Sequence, residues 1–529
     1  MTPPSARARS LLAAVGGALL VPAFPPFDLW PLAVVATALL CWLLSWPGPV
    51  CRAGAQAGFW FGMTFFAGSV YWVVPVMQHY GGLPWIVALS VLLLFTALLA
   101  AFFAGFAALV QHLVNRMGAA PALLLAPAVW VAAELARNHV LTGFPWVRLG
   151  NALHTIPPLL QLASVTGIYG LSFLLLALAS SLALLARQAQ RASGAIYLSL
   201  LLLMVVGIYT WGSGRVGRLR GEAEPSRAVD VACVQGNVPQ DRKWSREAAD
   251  EILTRHLEFT RLAASRGADL VVWPESSLPF PLRGHAEFAS RVRQVAEDTG
   301  SALILGSLDW RTMGQDGRQV YNSAFLVSAG EPAQLAYDKV HLVPFGEYVP
   351  LRQVLFFASK LVEEVGELSA GAGQQHLASG SGVQGVPALG ILICYEIIFP
   401  GLARQAVDAG AQVLLNLTND AWFGHTAAPY QHFSEAVVRA VETGRWVVRA
   451  ANTGISGIIA PSGDVVARTE LGVAGLAQAE VFPRDERTLY VRSGDVFAWA
   501  CVILTLAVVV LGRRLAAPVS SQLSDKQLG

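Results

Sequence analysis

Charge is what this chain has little of. Asp, Glu, Lys and Arg make up 14% of its residues, against about 25% in an ordinary soluble domain. With 54% of the residues hydrophobic, the surface cannot all face water, which excludes a wholly soluble protein. Basic runs are missing and the formal net charge is only +2, so nothing points to nucleic acid or another polyanion as partner. Cysteine is scarce and scattered. Cys41, Cys51, Cys233, Cys394 and Cys501 form no CxxC pair, which argues against a zinc site and a disulfide framework and leaves at least one thiol free. No metal or other cofactor is implied.

The apolar residues that are there fall into runs. Seven occupy about 10–24, 28–46, 55–77, 85–113, 121–138, 159–187 and 194–212, and an eighth about 497–512. A membrane-spanning helix needs roughly 20 apolar residues, and most of these runs qualify. The first is short, follows Arg7 and Arg9, and ends at Pro22, Pro25 and Pro26. It lacks a clear small-residue cleavage site, and another run follows at once, so it reads as a retained helix rather than a signal peptide. The expected organisation is a transmembrane domain of seven helices (1–212), a polar linker (213–227), an external catalytic domain (228–490), a C-terminal transmembrane helix (497–514) and an internal tail (515–529). With the N-terminus inside, the inner segments hold Arg7, Arg9, Arg52, Arg116, Arg187, Arg191, Arg513 and Arg514. The outer loops hold only Arg148, with Arg137 at a helix end, as the positive-inside rule requires. In a bacterium the outside is the periplasm.

One membrane run is unusual. The fifth and its following loop carry Glu134, Arg137, Asn138, Gly143-Phe-Pro-Trp146 and Arg148. Ionisable groups at the edge of a membrane helix mark a site, or Glu134 and Arg137, three apart on one face, pair with each other. Trp146 lines that site or is an interfacial anchor.

After residue 227 short β-rich runs alternate with amphipathic helical stretches, which predicts an α/β fold with sheets covered by helices. Strands are expected at 229–234, 269–273, 302–306, 323–327, 389–394, 412–417 and near 447–460, with helices at 247–266, 285–298, 401–409 and 430–446. Three residues in this half carry chemistry. Cys394 ends the apolar run Ile391–Ile393 at a strand-to-helix turn, where a helix N-terminus favours the thiolate; taken alone, a lone cysteine more often reads as one more small buried hydrophobe. Glu275 lies just beyond the strand Val271-Val-Trp273, as a site carboxylate or a solvated loop acid. Lys339, flanked by Val340, Leu342 and Val343, is a half-buried cation that Glu347 can partner, or an exposed lysine on an edge strand. Together they make sense. A mostly protonated thiol needs a base, which Glu275 can be. Attack on an ester or amide creates an oxyanion, which the Lys339 ammonium can stabilise in a dry site. A covalent thioester then divides one hard transfer into two easier steps.

The motifs Trp273-Pro-Glu275, Asp338-Lys-Val-His-Leu-Val-Pro-Phe-Gly-Glu347 and Cys394-Tyr-Glu396, in that order, resemble the Glu-Lys-Cys triad of the nitrilase superfamily. Joined to the membrane runs, they make nearly the whole chain resemble the apolipoprotein N-acyltransferases. The resemblance implies a multi-span α-helical membrane domain and a nitrilase-like αββα sandwich at the periplasmic face of the bacterial inner membrane. It implies that an acyl chain passes from a phospholipid, usually the sn-1 chain of phosphatidylethanolamine, to Cys394. The chain then passes to the α-amino group of the diacylglyceryl cysteine of an apolipoprotein, the last step of lipoprotein maturation. Glu275 is then the base, Lys339 the oxyanion stabiliser and Glu347 the carboxylate that orients the lysine. Tyr395 and Glu396 match residues beside the nucleophile, and Trp244 matches a tryptophan of the substrate region.

Two stretches fit such chemistry without the family. Residues 354–366, with Phe356 and Phe357, are amphipathic and suit a lid for a lipid tail, or an ordinary surface helix. Trp422 and Phe423, in Asn419-Asp-Ala-Trp-Phe-Gly424, line an acyl entrance or pack beneath their loop. The rival readings are a membrane-bound nitrilase-type amidase or hydrolase, a transporter with an external domain, and a non-catalytic scaffold. Few mid-span charges and no obvious pair of broken helices argue against transport.

Overall fold

A computed structural model describes residues 4–47, 51–221, 228–243, 247–278, 280–312, 318–349, 367–373 and 386–515. Its N-terminal half is helical: α1 (Ala6–Leu20), α2 (Pro31–Leu44), α3 (Cys51–Ser69), α4 (Val73–His79), α5 (Trp85–Met117), α6 (Ala119–His139), α7 (Ile168–Leu185) and α8 (Arg191–Gly221). Among the described residues five helices, α1, α5, α6, α7 and α8, are long and apolar enough to cross a membrane. The α3–α4 pair, bent by 51°, would make a sixth; α2 and the C-terminal apolar helix are shorter. At 33 residues, α5 is about 50 Å long, more than a bilayer core of about 30 Å requires. Its contact with α3 is close because Gly54, Gly58 and Gly62 recur every fourth residue along the seam. A Cβ at Gly58 would lie 2.2 Å from the Phe103 carbonyl oxygen, so only glycine permits this approach.

Two details depart from the expected spans. The run at 159–187 is not one helix: Pro157–Leu160 and Ala163–Thr166 are single turns, and the long helix starts after Gly167, whose φ is +64°. The expected linker 213–227 is helical as far as Gly221. Tertiary contacts override its glycines and arginines. Gly212 lies against the Pro158 carbonyl, Arg215 donates to Gln161 Oε1 (3.1 Å), and Arg220 forms a two-pronged ion pair with Asp464.

The second half is a sandwich of two sheets. The strands β1 (Val229–Gln235), β2 (Leu270–Val272), β3 (Ala302–Thr312), β4 (Arg318–Val327) and β5 (Gln334–Asp338) join one sheet. The strands β6 (Leu389–Ile393), β7 (Val413–Thr418), β8 (Trp446–Ala451), β9 (Gly457–Ile459) and β10 (Val465–Arg468) form the other. The last strand, β11 (Gly475–Val481), returns to pair with β1, so the orders are β11-β1-β2-β3-β4-β5 and β10-β9-β8-β7-β6. Neither β10 nor β11 is expected from the sequence, because both are largely half-buried or exposed and their apolar runs are no longer than three residues. Period-two alternation builds the layers. Val229, Val231, Cys233 and Ile304 meet Leu389, Ile391, Ile393 and Leu415 between the sheets. Ala232, Val234, Leu303 and Leu305 turn outward under α9 (Ala249–Ser265) and α10 (Ala286–Thr299).

The opposite outer face, with Leu392, Leu414, Val447 and Ile459, lies under α11 (Pro400–Asp408) and α12 (Ala428–Thr443). That layer is continuous with the core of the membrane helices, and α13 (Val496–Leu515) closes the chain against α6. A helix between two apolar bodies has no face left for water. In α12 every residue but Tyr430 is buried, Gln431, His432, Glu435, Arg439 and Glu442 included.

Candidate active site

Strands β1–β3 run parallel, as do β6–β8. Their carboxyl ends are where open α/β folds place ligands. Glu275 follows β2, Lys339 follows the edge strand β5 and Cys394 follows β6, so segments distant in sequence converge at one end of the sandwich. The turn carrying Glu275 lies flat on β3 because residue 306 is glycine: a Cβ there would sit 2.7 Å from the Glu275 Cα. Glu275 is 7% exposed, and its Oε1 accepts from Asn322 Nδ2 at 2.7 Å.

Lys339 is buried, with 1% exposed, despite its place beside an edge strand. Its Nζ donates to Glu347 Oε1 at 2.8 Å and lies 3.5 Å from Glu275 Oε1. Burial opposes the ammonium, but Glu347, Glu275 and Cys394 outweigh it and raise its pKa above the ordinary lysine value. Lys339 is therefore a fixed cation. Glu347 is held in turn by the Val343 N–H (2.8 Å) and Asn322 Nδ2 (3.3 Å). Asn322 thus bridges the two carboxylates that flank the lysine.

Cys394 is half-buried and opens a short 3₁₀ turn, Cys394–Ile398, before α11. The expected lowering of its pKa by a helix N-terminus does not occur. Burial and then Glu275 push the thiol up to about 12, with Lys339 acting against them. The resting thiol is therefore neutral, and attack by it would need a base.

Glu396 is placed differently from a substrate contact. It is fully buried, and Oε1 accepts from Tyr337 Oη (2.8 Å), Val340 N–H (2.8 Å) and His341 N–H (2.9 Å), while Oε2 accepts from Ile393 N–H (2.7 Å). These bonds tie the Lys339 strand to the Cys394 turn, which makes Glu396 a positioning residue. Tyr395 Oη donates to the Gly143 carbonyl (3.3 Å) in the loop after α6, and its ring meets His341 and Phe399.

The membrane-edge residues come to the same place. Arg137 Nη1 donates to the Trp146 carbonyl (2.6 Å), while Glu134 accepts from Trp130 Nε1 (2.9 Å) and Leu149 N–H (2.8 Å). Both side chains hold the 143–149 loop, and no ion pair joins them among the described residues. Trp146 is buried rather than interfacial. Its Nε1 donates to Gln431 Oε1 (2.7 Å) and its ring lies 5.5 Å from that of His432. Phe423 packs on Trp72 and Trp146, and Trp422 on Tyr80. These aromatics seal the joint between α4 and the sandwich. Trp244, Phe356, Phe357 and the amphipathic stretch 354–366 lie outside the described residues.

Sequence reasoning missed the support behind the thiol. Asn416 Nδ2 donates to the Cys394 carbonyl (3.4 Å), and His432 Nε2 lies 3.1 Å from that oxygen. Asp420 and Arg449 hold His432 from the other side, at 3.0 Å each from Nδ1. Only the clustering of Asn, Asp and Trp in Asn419-Asp-Ala-Trp422 hinted at it. The whole arrangement sets a neutral thiol within electrostatic reach of a buried carboxylate and a buried ammonium. It can carry nucleophilic attack on a carbonyl with oxyanion stabilisation.

Comparison with known proteins bears on both halves. Residues 16–181 match the family described as apolipoprotein N-acyltransferase N-terminal domain, and residues 230–489 match carbon-nitrogen hydrolase. An apolipoprotein N-acyltransferase of Geobacter metallireducens is 38% identical over 511 residues, covering 95% of each chain. One from Bradyrhizobium diazoefficiens is 34% identical over 546 residues, covering 96% of this chain and 95% of the relative. Among solved structures, a nitrilase-superfamily amidase from Nesterenkonia AN1 is 21% identical, covering 51% of this chain and 96% of its own, with a TM-score of 0.38. With its membrane helices joined to a carbon-nitrogen hydrolase half, and with relatives matched over nearly its full length, this chain belongs to the apolipoprotein N-acyltransferase family.

Proposed function

We propose that this membrane protein N-acylates apolipoproteins in two steps through a thioester on Cys394. In the first, Sγ attacks an ester carbonyl of a phospholipid as Glu275 takes the thiol proton. Lys339 faces the oxyanion, and collapse expels the lysophospholipid alkoxide, which recovers the proton from Glu275. In the second, the free α-amino group of a diacylglyceryl cysteine attacks the thioester. Glu275 takes a proton from the amine and returns it to the leaving thiolate, so the enzyme is regenerated. The donor is a phospholipid, with phosphatidylethanolamine as the working choice. The arginine asymmetry supports an inner-membrane protein whose catalytic half faces the periplasm.

One observation carries this reading. The nucleophile stands at the joint between the sandwich and the membrane helices, with Tyr395 bonded to Gly143 and Trp146 packed on His432. A hydrolase of soluble amides has no need of that position. A lipid acyl chain rising from the bilayer meets the thiol there.

The test is intact-protein mass spectrometry after incubation with phosphatidylethanolamine and no acceptor, with Cys394→Ala as control. A hydroxylamine-labile acyl adduct on Cys394 that persists until a diacylated lipopeptide is added is expected. An adduct that decays in water alone would make the protein a membrane-bound hydrolase.

A further inference from the structure

The site holds a buried charge on the Glu275 side that the two-step scheme does not use. Lys243 ends the short helix Gln240–Lys243, on the loop beyond β1. The loop is pinned by bonds from Asn237 N–H to the Asn452 carbonyl (2.8 Å), Val238 N–H to Asn452 Oδ1 (3.0 Å) and Asn419 Nδ2 to Gln240 Oε1 (2.8 Å). Lys243 is 2% exposed, and its Nζ donates to the backbone carbonyl of Glu275 at 3.0 Å. A lysine is almost never this buried without a reason in its surroundings. Glu275 from the β2 end and Cys394 from the β6 end face it electrostatically, and His256 faces it from α9. Burial first, against the pull of Glu275 and Cys394, brings its pKa down to about 8.

We infer that Lys243 is a positioning residue for the acyl transfer, fixing the Glu275 backbone and supplying the second positive charge that keeps the site neutral through the reaction. Asp420 is paired off by Arg449 (2.7 Å), and Glu396 is held by Tyr337 Oη and three backbone N–H groups, which leaves the carboxylates and ammonium groups around Glu275 to balance one another. At rest Glu275 and Glu347 are matched by Lys339 and Lys243. When Glu275 holds the thiol proton and the oxyanion has formed, the negative charges are the oxyanion and Glu347, again matched by two ammonium groups. With Lys339 alone, both states leave one negative charge uncompensated in a water-poor site, where charge is costly. His256 does not alter the count, because burial keeps its ring neutral, with a pKa pushed down to about 4.

The inference rests on the triad assignment above, and its test separates the two. Removing a nearby cation disfavours every neighbouring anion, so the thiolate and the carboxylate both form at higher pH. The rate of acyl-adduct formation on Cys394 is measured by intact mass against pH, in the full-length protein with phosphatidylethanolamine. Lys243→Met and Lys243→Gln are compared with wild type. Both variants are expected to slow adduct formation at neutral pH about tenfold or more and to move the whole profile up by about one pH unit. Lys243→Gln keeps a donor for the Glu275 carbonyl without the charge, so it carries the test if the methionine variant does not fold. A lower rate with an unmoved profile would reduce Lys243 to a structural contact and overturn the inference. If wild type forms no adduct at any pH, the acyl-transfer reading falls and this one with it.

Discussion

At Cys394 the main chain takes φ of +52°, in the left-handed region that costs a non-glycine residue about 1–3 kcal/mol. The bond from Asn416 and the contact with His432 hold that carbonyl, and with it the turn that carries the thiol, in place. The ammonium opposite is equally fixed. Lys339→Ala is expected to leave the protein folded and inserted while lowering acyl-enzyme formation about 100–1,000-fold, the usual cost of one oxyanion donor. Transfer at the wild-type rate would remove Lys339 from the site. Glu347→Gln keeps an oxygen for Lys339 and loses the charge, so its effect is expected to be smaller, on kcat more than on KM; unchanged kinetics would make Glu347 a bystander. The thiol itself predicts a pH signature. An ordinary cysteine ionises near 8.5, and its alkylation rate levels off above that pH. With its pKa pushed up to about 12, Cys394 is expected to react with iodoacetamide ever faster through that range, since thiolate is still accumulating. A plateau near neutrality would show that Lys339 outweighs burial and Glu275.

Among the elements, α12 bears the largest electrostatic load. Glu435 accepts from Arg148 Nη2 (2.8 Å) and Asn151 Nδ2 (2.9 Å), and Arg439 lies 3.0 Å from Glu442, whose Oε1 accepts from the Ile168 N–H (2.8 Å). All four charges are buried, so each depends on its partners. Glu435→Gln leaves Arg148 uncompensated and is expected to cost about 3–5 kcal/mol, read as a fall in thermal midpoint in detergent. Adding Arg148→Met should recover part of it; a double variant no better than the single would mean that the pair is not coupled. None of this is visible in the sequence, where 430–446 reads as one more amphipathic helix. What was legible is what a local pattern encodes: the apolar runs, the β1–β3 and β6–β8 strands, and three motifs at strand ends. What was not legible depends on pairing between distant segments. Asn322 reaches Glu275 and Glu347 only because β4 lies beside β5 in a particular register, and Lys243 enters the site only because its loop is pinned across the sheets. The helix α8 outran its expected end for the same reason, since Arg220 finds Asp464 from a neighbouring strand loop.

For the molecule as a whole, the question is whether the two halves are separable. Domain boundaries drawn from composition suggest that they are, with residues 228–490 as a self-contained catalytic unit. The packing argues otherwise. One apolar core runs from the membrane helices through α12 and α11 to the outer face of the second sheet, with the buried charges of α12 embedded in it and paired across the joint. Gln431 makes the joint specific: its Oε1 accepts from Trp146 Nε1 (2.7 Å) and Trp72 Nε1 (3.3 Å), and its Nε2 donates to the Ser69 carbonyl (3.1 Å) where α3 gives way to α4. His432, the next residue, touches the carbonyl of Cys394. Cutting the chain at 228 would expose the apolar side of α12, strip Arg148 and Asn151 from Glu435 and the Ile168 N–H from Glu442, and loosen the support behind Cys394. Residues 228–490 expressed alone are therefore expected to yield no soluble monomer by size-exclusion chromatography, only aggregate or detergent-bound protein. Any refolded fraction should alkylate at Cys394 without forming an acyl adduct. A soluble monomer that still takes up an acyl group would mean that the bundle only delivers lipid. Failure on both counts would mean that the bundle also builds the site.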